Sequence, residues 1–317
     1  MTTTRPRVSI VIVTYNSKAY IDECLAPLVG NRDFEIIVVD NASPDGTAAY
    51  VSERYPALNL IASEKNLGFS GGNNLAFRMC TTETVLLLNP DAFIKDVSVI
   101  WRLQDALFEH SELAVVGPQL INIDGSHQVG DGGWKTGLLS IVGHAFWLHR
   151  LVAVVPSIYI SHPTFLKKDF VDVDWICGAC MMVRSSVIEE IGGLDESIFM
   201  YGEDVEWGER ARTAGYKARY FPALKVLHIQ GASQRQKGEE FFSTKWMDSR
   251  AKRYAKSATK LQYGLFKFLL SAGFGFRSAV LAAVSVVLRR PRLKRRAEVM
   301  LRYAAHAWKL PSNFGSP

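Results

Sequence analysis

The sequence is poor in cysteine. Four in 317 residues, Cys24, Cys80, Cys177 and Cys180, do not make a disulfide framework for a chain this long. No apolar segment precedes the first β-like run in MTTTRPRVSI, and with so little cysteine the expected setting is cytoplasmic and reducing. TYNSKAY, after that run, holds no glycine, and no G-x-x-x-x-G-K-[ST] occurs anywhere. A dinucleotide-binding dehydrogenase and a phosphate-loop NTPase are therefore both excluded. Long uncharged runs are missing from the tail. Residues 261–288, LQYGLFKFLLSAGFGFRSAVLAAVSVVL, are interrupted by Lys267 and Arg277, and Ser278 to Leu288 is their longest uncharged piece. It is shorter than the ~20 residues that a spanning helix needs, so in-plane or hairpin helices are expected.

Acidic residues are scarce in one part of the chain only. Residues 1–240 carry 21 Lys or Arg against 29 Asp or Glu, and residues 241–317 carry 16 against 2, so a body near −8 precedes a tail near +14. Such a block, with RRPRLKRR at 289–296, suits an anionic surface such as lipid headgroups. Nucleic acid is the weaker partner, because the tail lacks aromatic stacking motifs for bases. Packing on the body or on a second subunit, as a homo-oligomer, is the structural alternative. Hydrophobic residues make up 48% of the chain, at a mean hydropathy of +0.04, enough for a sizeable core.

In the first half, continuous apolar runs alternate with helical spacing. RVSIVIV, FEIIVVD, LNLIAS and TVLLLNPD read as strands, with helices in SKAYIDECLAPL, PDGTAAYVSERY and GGNNLAFRMC between them. Apolar strands separated by helices predict an α/β fold with a mostly parallel sheet covered on both faces. Ligands of such sheets bind at the carboxyl ends of the strands. The four loops there are polar: Thr14-Tyr15-Asn16, Asp40 to Thr47, Asn66 to Asn74, and Asn89-Pro90-Asp91. Each alone is an ordinary turn or cap. Together, with a glycine-rich segment that lets backbone N–H groups approach phosphates, they predict a nucleotide site. Cys177 and Cys180 form a C-x-x-C pair in the apolar run WICGACMMV with no second pair at zinc spacing, and read as packing residues.

GEDVEWGERARTAGY, residues 202–216, places Glu203 and Asp204 at the start of a predicted helix that Gly215 stops. Acids in a first turn often only cap, yet a helix N-terminus also favours the ionised carboxylate that a general base needs. The ordered set VSIVIVTYN, VVDNASPDGT, NLGFSGGNN, LLLNPDA, GACMMVRSSVIEEIGGLDE and GEDVEWGERARTAGY resembles the inverting GT-A-type glycosyltransferases that use nucleotide sugars. Within them it looks most like the rhamnosyltransferase-like branch of bacterial surface-polysaccharide synthesis. The likeness covers about residues 7–235.

The resemblance implies a GT-A-type catalytic domain over 1–240, with a nucleotide-sugar half (1–120) and an acceptor half (121–240), followed by a basic helical membrane-associating tail over 241–317. It implies that Thr14, Tyr15 and Asn16 line the base and ribose pocket, that Asp40 binds nucleobase or ribose, and that Asn66, Gly68, Gly71 and Asn74 flank the dTDP- or UDP-sugar. Asp91 matches the last acid of the family's D-x-D metal motif, whose first position is here Asn89, and would contact Mg²⁺ or Mn²⁺ on the diphosphate. His228 would complete the metal shell or touch the diphosphate. Asp204 would be the base for single displacement with inversion, with Glu203 in support. The glycine- and aromatic-rich segment 122–170 would be a mobile acceptor loop, and Trp175 and Gly178 would lie on the acceptor side. The implied acceptor is a saccharide on a polyprenyl diphosphate at the cytoplasmic face of the membrane, where the tail would hold the enzyme peripherally.

Overall fold

A computed structural model describes residues 7–229 and 242–311. β1 (Val8–Thr14), α1 (Ile21–Leu25), β2 (Phe34–Asp40), α2 (Thr47–Arg54), β3 (Asn59–Ala62), α3 (Gly68–Phe77) and β4 (Thr84–Leu88) alternate as their periodicity predicts. β5 (Ala92–Phe93), α4 (Ser98–Glu109), β6 (Leu113–Ile121), β7 (Gly132–Gly133), α5 (Leu138–Ala145) and α6 (Leu148–Leu151) follow. Next come β8 (Val171–Val173), β9 (Trp175–Ile176), β10 (Cys180–Arg184), α7 (Ser185–Ile191), α8 (Glu203–Thr213) and β11 (Lys217–His228). The last elements are α9 (Lys245–Ser257), α10 (Lys260–Val287) and α11 (Pro291–Lys309).

Two compact units result. Among the described residues, one comprises 7–133 and 165–229, and the other 134–164 and 242–311. The boundary expected at 240/241 lies outside the described residues. In the first unit a nine-stranded sheet runs β3-β2-β1-β4-β10-β6-β11-β5, with β8 beside β11. Covered on both faces, β1, β2 and β4 are apolar without alternation and buried nearly throughout, as central parallel strands must be. β3-β2-β1-β4 are parallel. β10 then enters antiparallel to both β4 and β6, and β11 runs parallel to β6. This arrangement brings the start of β10 and the end of β11 to the same edge as the carboxyl ends of β1, β2 and β4.

The second unit is helical. Ile141, Met247, Phe266, Leu270, Phe274 and Ala307 are buried at its centre. It includes part of the segment expected to be a mobile acceptor loop: 122–170 contains β7, α5 and α6, and 134–164 packs with the tail helices. Small residues concealed the helical spacing there, and the structure explains their size. A Cβ on Gly273 of α10 would lie 2.4 Å from the Cβ of Ala145 in α5, so these helices approach nearly backbone to backbone. The unit also sharpens the charge division. Residues 134–164 add Lys135 and Arg150 and no acid, giving 18 basic against 2 acidic residues, while the rest of the chain has 19 against 29.

Residues 261–287 of the stretch expected as in-plane or hairpin helices form one continuous helix, α10, which pairs with α11, and the two cations in that stretch do not break its apolar surface as the linear sequence suggested. Lys267 donates to the Leu310 carbonyl. Arg277 is buried, donates to the His144 carbonyl at the end of α5, and lies 4.8 Å over the Trp147 ring. Both charges are turned inward onto helix ends, where carbonyl groups favour cations. Leu261, Phe268, Phe276, Val286 and Val287 remain exposed. By length and composition α10 is long and apolar enough to cross a membrane.

Gly273→Leu forces a branched side chain into the α5–α10 contact and is expected to destabilise the protein by roughly 1–3 kcal/mol, measured as a lower midpoint in urea followed by far-ultraviolet circular dichroism.

Candidate active site

The strand-end loops are tied to one another by side chains. Thr14 Oγ1 donates to Asp40 Oδ1 at 2.8 Å across the β1–β2 pair. Ser43 closes on the same carboxylate through its hydroxyl (2.6 Å) and its backbone N–H (2.9 Å), while its Oγ accepts from the Asn16 backbone at 3.0 Å. Asp40 is 2% exposed, and these donors balance the burial of its charge. Asn16 and Ala42 hold φ of 54° and 57°, left-handed backbone that costs energy for residues other than glycine. Tyr15 stands half exposed at the rim.

The third loop is built by asparagines. Asn66 Oδ1 accepts from Gly68 N at 2.9 Å, and Asn41 Nδ2 donates to the Gly68 carbonyl at 2.9 Å. Gly68 has φ 72°, and a Cβ there would meet the Phe199 carbonyl at 2.5 Å, so only glycine fits. Gly71 is buried one helical turn further along α3. Asn74 bonds the Leu194 backbone with both ends of its amide (2.8 Å each) and donates to Glu196 (2.9 Å). Asn66 and Asn74 thus hold loops in place, while Asn41 Oδ1 is buried with no partner. Sequence reading quoted Asn41 without giving it a role.

The antiparallel β4–β10 pair joins the strand-end loops to the Asp204 corner. Asn89 N donates to the Ala179 carbonyl at 2.9 Å. Gly178 N donates to Asp204 Oδ2 at 3.4 Å, and Val205 N to Asp204 Oδ1 at 2.7 Å. A Cβ on Gly178 would sit 2.8 Å from the Phe69 ring, so α3 and the β10 entry meet at this residue. Trp175 is buried in β9, which pairs with β7. Consecutive positive φ values at Tyr201 (70°) and Gly202 (106°) turn the chain sharply into α8, with Gly202 as N-cap and Glu203 and Asp204 in the first turn.

These two acids differ in environment. Glu203 is buried, and its Oε2 has no partner. Burial, then the charge of Asp204, pushes its carboxyl up to about 8, which keeps it neutral over much of the ordinary pH range. Asp204 is half-buried and receives the two N–H groups just named. Cys177 and Cys180 are free thiols whose ionisation burial opposes. They pack and do not react.

At the far end of the edge, Asp91 Oδ1 and His228 Nε2 lie 3.3 Å apart, both groups nearly buried. The antiparallel pair His228↔Ala92 and the bond from Ile229 N to the Asp91 carbonyl (2.9 Å) hold them together. A hard divalent ion with bonds of about 2.1 Å sets adjacent ligand atoms about 3 Å apart, so this acid and imidazole fit neighbouring positions on such an ion. No cluster of three or more His, Cys, Asp or Glu at metal-binding distance occurs among the described residues. Two protein ligands completed by substrate phosphates and water is a usual Mg²⁺ arrangement. Behind His228 stands Gln128, and beside it Asp131 accepts from the Tyr220 hydroxyl (2.6 Å) and contacts His127 Nε2 (3.0 Å). Sequence reading missed both, since the partners of Gln128 and Asp131 lie up to 100 residues away.

Residues 9–192 match glycosyl transferase family 2. The chain belongs to that family. Among curated relatives of this family 2 enzyme is the N-acetylglucosaminyl-diphospho-decaprenol L-rhamnosyltransferase of Mycobacterium tuberculosis, 28% identical over 241 residues, 71% of this chain and 76% of the relative. The rhamnosyltransferase WbbL of Escherichia coli is 27% identical over 232 residues, 70% of this chain and 83% of the relative. The mannosyltransferase PcManGT of Pyrobaculum calidifontis, solved with GDP-Man and Mn²⁺, aligns with a TM-score of 0.58 at 18% identity, covering 96% of this chain and 88% of that one. It shares the fold. The glycosyltransferase assignment, the GT-A-like α/β fold and the rhamnosyltransferase relatives expected from the sequence are thereby established.

Neutral Glu203 predicts a pH effect. A carboxyl whose folded value is raised from 4.5 to about 8 favours the fold fully below about pH 4.5, and that contribution is lost as pH rises toward 8. Glu203→Gln, neutral at every pH, is expected to gain in melting temperature relative to the wild type across that window. Parallel melting curves of the two proteins from pH 4 to 9, measured by scanning calorimetry, check this.

Proposed function

We propose that this family 2 enzyme transfers a sugar, rhamnose first among the candidates, from a dTDP- or UDP-sugar to a saccharide on a polyprenyl diphosphate at the cytoplasmic membrane face, with inversion. The observation that carries the reading is the convergence on one sheet edge of the Thr14–Asp40–Ser43 loop pair, the Asp91–His228 pair and the Asp204 corner. The lipid-linked acceptor and the rhamnosyl group are carried over from the names of the relatives.

In this reading Asp40, Thr14, Tyr15 and Asn16 hold the base and ribose, and the glycine-rich start of α3, with Gly68 and Gly71, receives the diphosphate-sugar. Asp91 and His228 would hold Mg²⁺ or Mn²⁺, with Asn89 beside them. Such an ion neutralises charge on the departing nucleoside diphosphate. Asp204 takes the proton from the acceptor hydroxyl as that oxygen attacks the anomeric carbon. A neutral Glu203 leaves the negative charge of the acidic pair on Asp204, a division of roles that burial can impose on adjacent carboxyls. Gly178, donating to Asp204, and buried Trp175 border the acceptor side.

The helical unit supplies the membrane contact. The exposed apolar residues of α10 and the run Arg289, Arg290, Arg292, Lys294, Arg295 and Arg296, all exposed, give an interfacial hairpin both an apolar face and a cationic one. Each cation near an anionic surface contributes about 1 kcal/mol.

Asp204→Asn is expected to lower transfer about 10²–10⁴-fold while nucleotide-sugar binding persists, measured as nucleotide release with a lipid-linked acceptor and as donor titration calorimetry. EDTA should stop wild-type release, and Mn²⁺ or Mg²⁺ should restore it. Near-normal turnover by the variant removes Asp204 as base. Replacing the six cations of 289–296 by Gln is expected to abolish flotation with phosphatidylglycerol vesicles and leave the far-ultraviolet spectrum unchanged. Undiminished flotation refutes the headgroup contact.

A further inference from the structure

We infer that Gln128 is a positioning residue that fixes which ring nitrogen of His228 faces Asp91. The inference rests on the reading of Asp91 and His228 as metal ligands. Gln128 is 6% exposed and sits just past the turn that follows β6. Its side-chain Nε2 lies 3.0 Å from the His228 carbonyl and 3.0 Å from Asn122 Oδ1. A carbonyl oxygen only accepts, so the nitrogen of the Gln128 amide must face it. Asn122 agrees, because its own Nδ2 donates to Ser126 Oγ at 3.0 Å and its Oδ1 is the free acceptor. With Nε2 so placed, Oε1 is the atom 2.6 Å from His228 Nδ1. That oxygen accepts, so Nδ1 carries the proton.

The ring thereby presents its other nitrogen, Nε2, to Asp91 Oδ1 at 3.3 Å. A neutral ring with its proton on Nδ1 turns the Nε2 lone pair toward that carboxylate oxygen, so the two atoms can ligate one cation together. A hydrogen-bond partner on the rear nitrogen of an imidazole orients the ring and sets the tautomer of a metal ligand, and its loss typically costs 10–100-fold in metal affinity. Gln128 grips both the ring and the backbone carbonyl of the same residue, so it also sets the end of β11 on which the ring is mounted. Asn122 anchors the far side of the amide, and the turn holds it: Asn122 N donates to the Ser126 carbonyl at 2.8 Å and Gln128 N to the Leu120 carbonyl at 2.9 Å.

The test needs no turnover. In wild-type protein labelled with ¹⁵N at histidine and free of metal, the His228 ring resonances, assigned by their loss in His228→Ala, are expected to show the proton on Nδ1. Gln128→Met, which keeps the volume and removes both polar ends, should show a mixed or reversed ring. It should also bind Mn²⁺ about 10–100-fold more weakly, measured by the signal of free Mn²⁺ in electron paramagnetic resonance with dTDP or UDP present. Gln128→Glu keeps an acceptor oxygen for Nδ1–H and should recover part of that loss. A wild-type ring protonated on Nε2 alone overturns the inference without any variant. So does Mn²⁺ affinity unchanged in Gln128→Met but lost in His228→Ala. If His228→Ala and Asp91→Asn both bind Mn²⁺ as the wild type does, the metal reading falls and takes the inference with it.

Discussion

The antiparallel insertion of β10 between β4 and β6 is the constraint on which the rest of the site depends. Pairing Cys180 with Leu88 sets the residues before β10 against those after β4, and the backbone bond from Asn89 to Ala179 closes that junction. Gly178 N donates to Asp204 across this junction and so ties the Asp204 corner to the β4–β10 pair. A shift of the pair by one residue would reverse every side chain of a strand buried on both faces, so the register is held by the whole core and transmitted to the site.

The polar chemistry of the edge follows from burial. Asp40, Asp91, Glu203 and His228 are each less than a tenth exposed, and buried polar groups demand partners. Most of the candidate residues meet this demand with one another: Asp40 with Thr14 and Ser43, Asp91 with His228, and His228 with Gln128. Asn41 Oδ1 and Glu203 Oε2 are buried beside these groups without a partner, and buried polar atoms of that kind call for one.

The two units divide the electrostatics. The sheet unit has an excess of acids and the helical unit an excess of bases, 18 against 2. Part of that basic unit comes from mid-chain, where α5 and α6 join the tail helices. Tail and insertion therefore act as one helical body, with the cations of α10 spent on carbonyl groups inside it and those of 289–296 left in solvent.

Much of this was legible in the residues. Uninterrupted apolar runs are characteristic of central parallel strands, so β1 to β4 and the polar loops at their ends could be placed from the chain alone, as could the acidic start of α8. Local patterns carry such information because helix and strand periods and turn residues are local physics. Three things were decided only by tertiary structure. The segment 134–164 became helices of the second unit because its small residues answer to a distant backbone. Asn74 became a loop strut because its amide found both backbone groups of Leu194 across the fold. Gln128 and Asp131 acquired roles through partners on β11, about ninety to a hundred residues away. No local pattern encodes a hydrogen bond at that separation, since it exists only once the sheet has brought its two ends together.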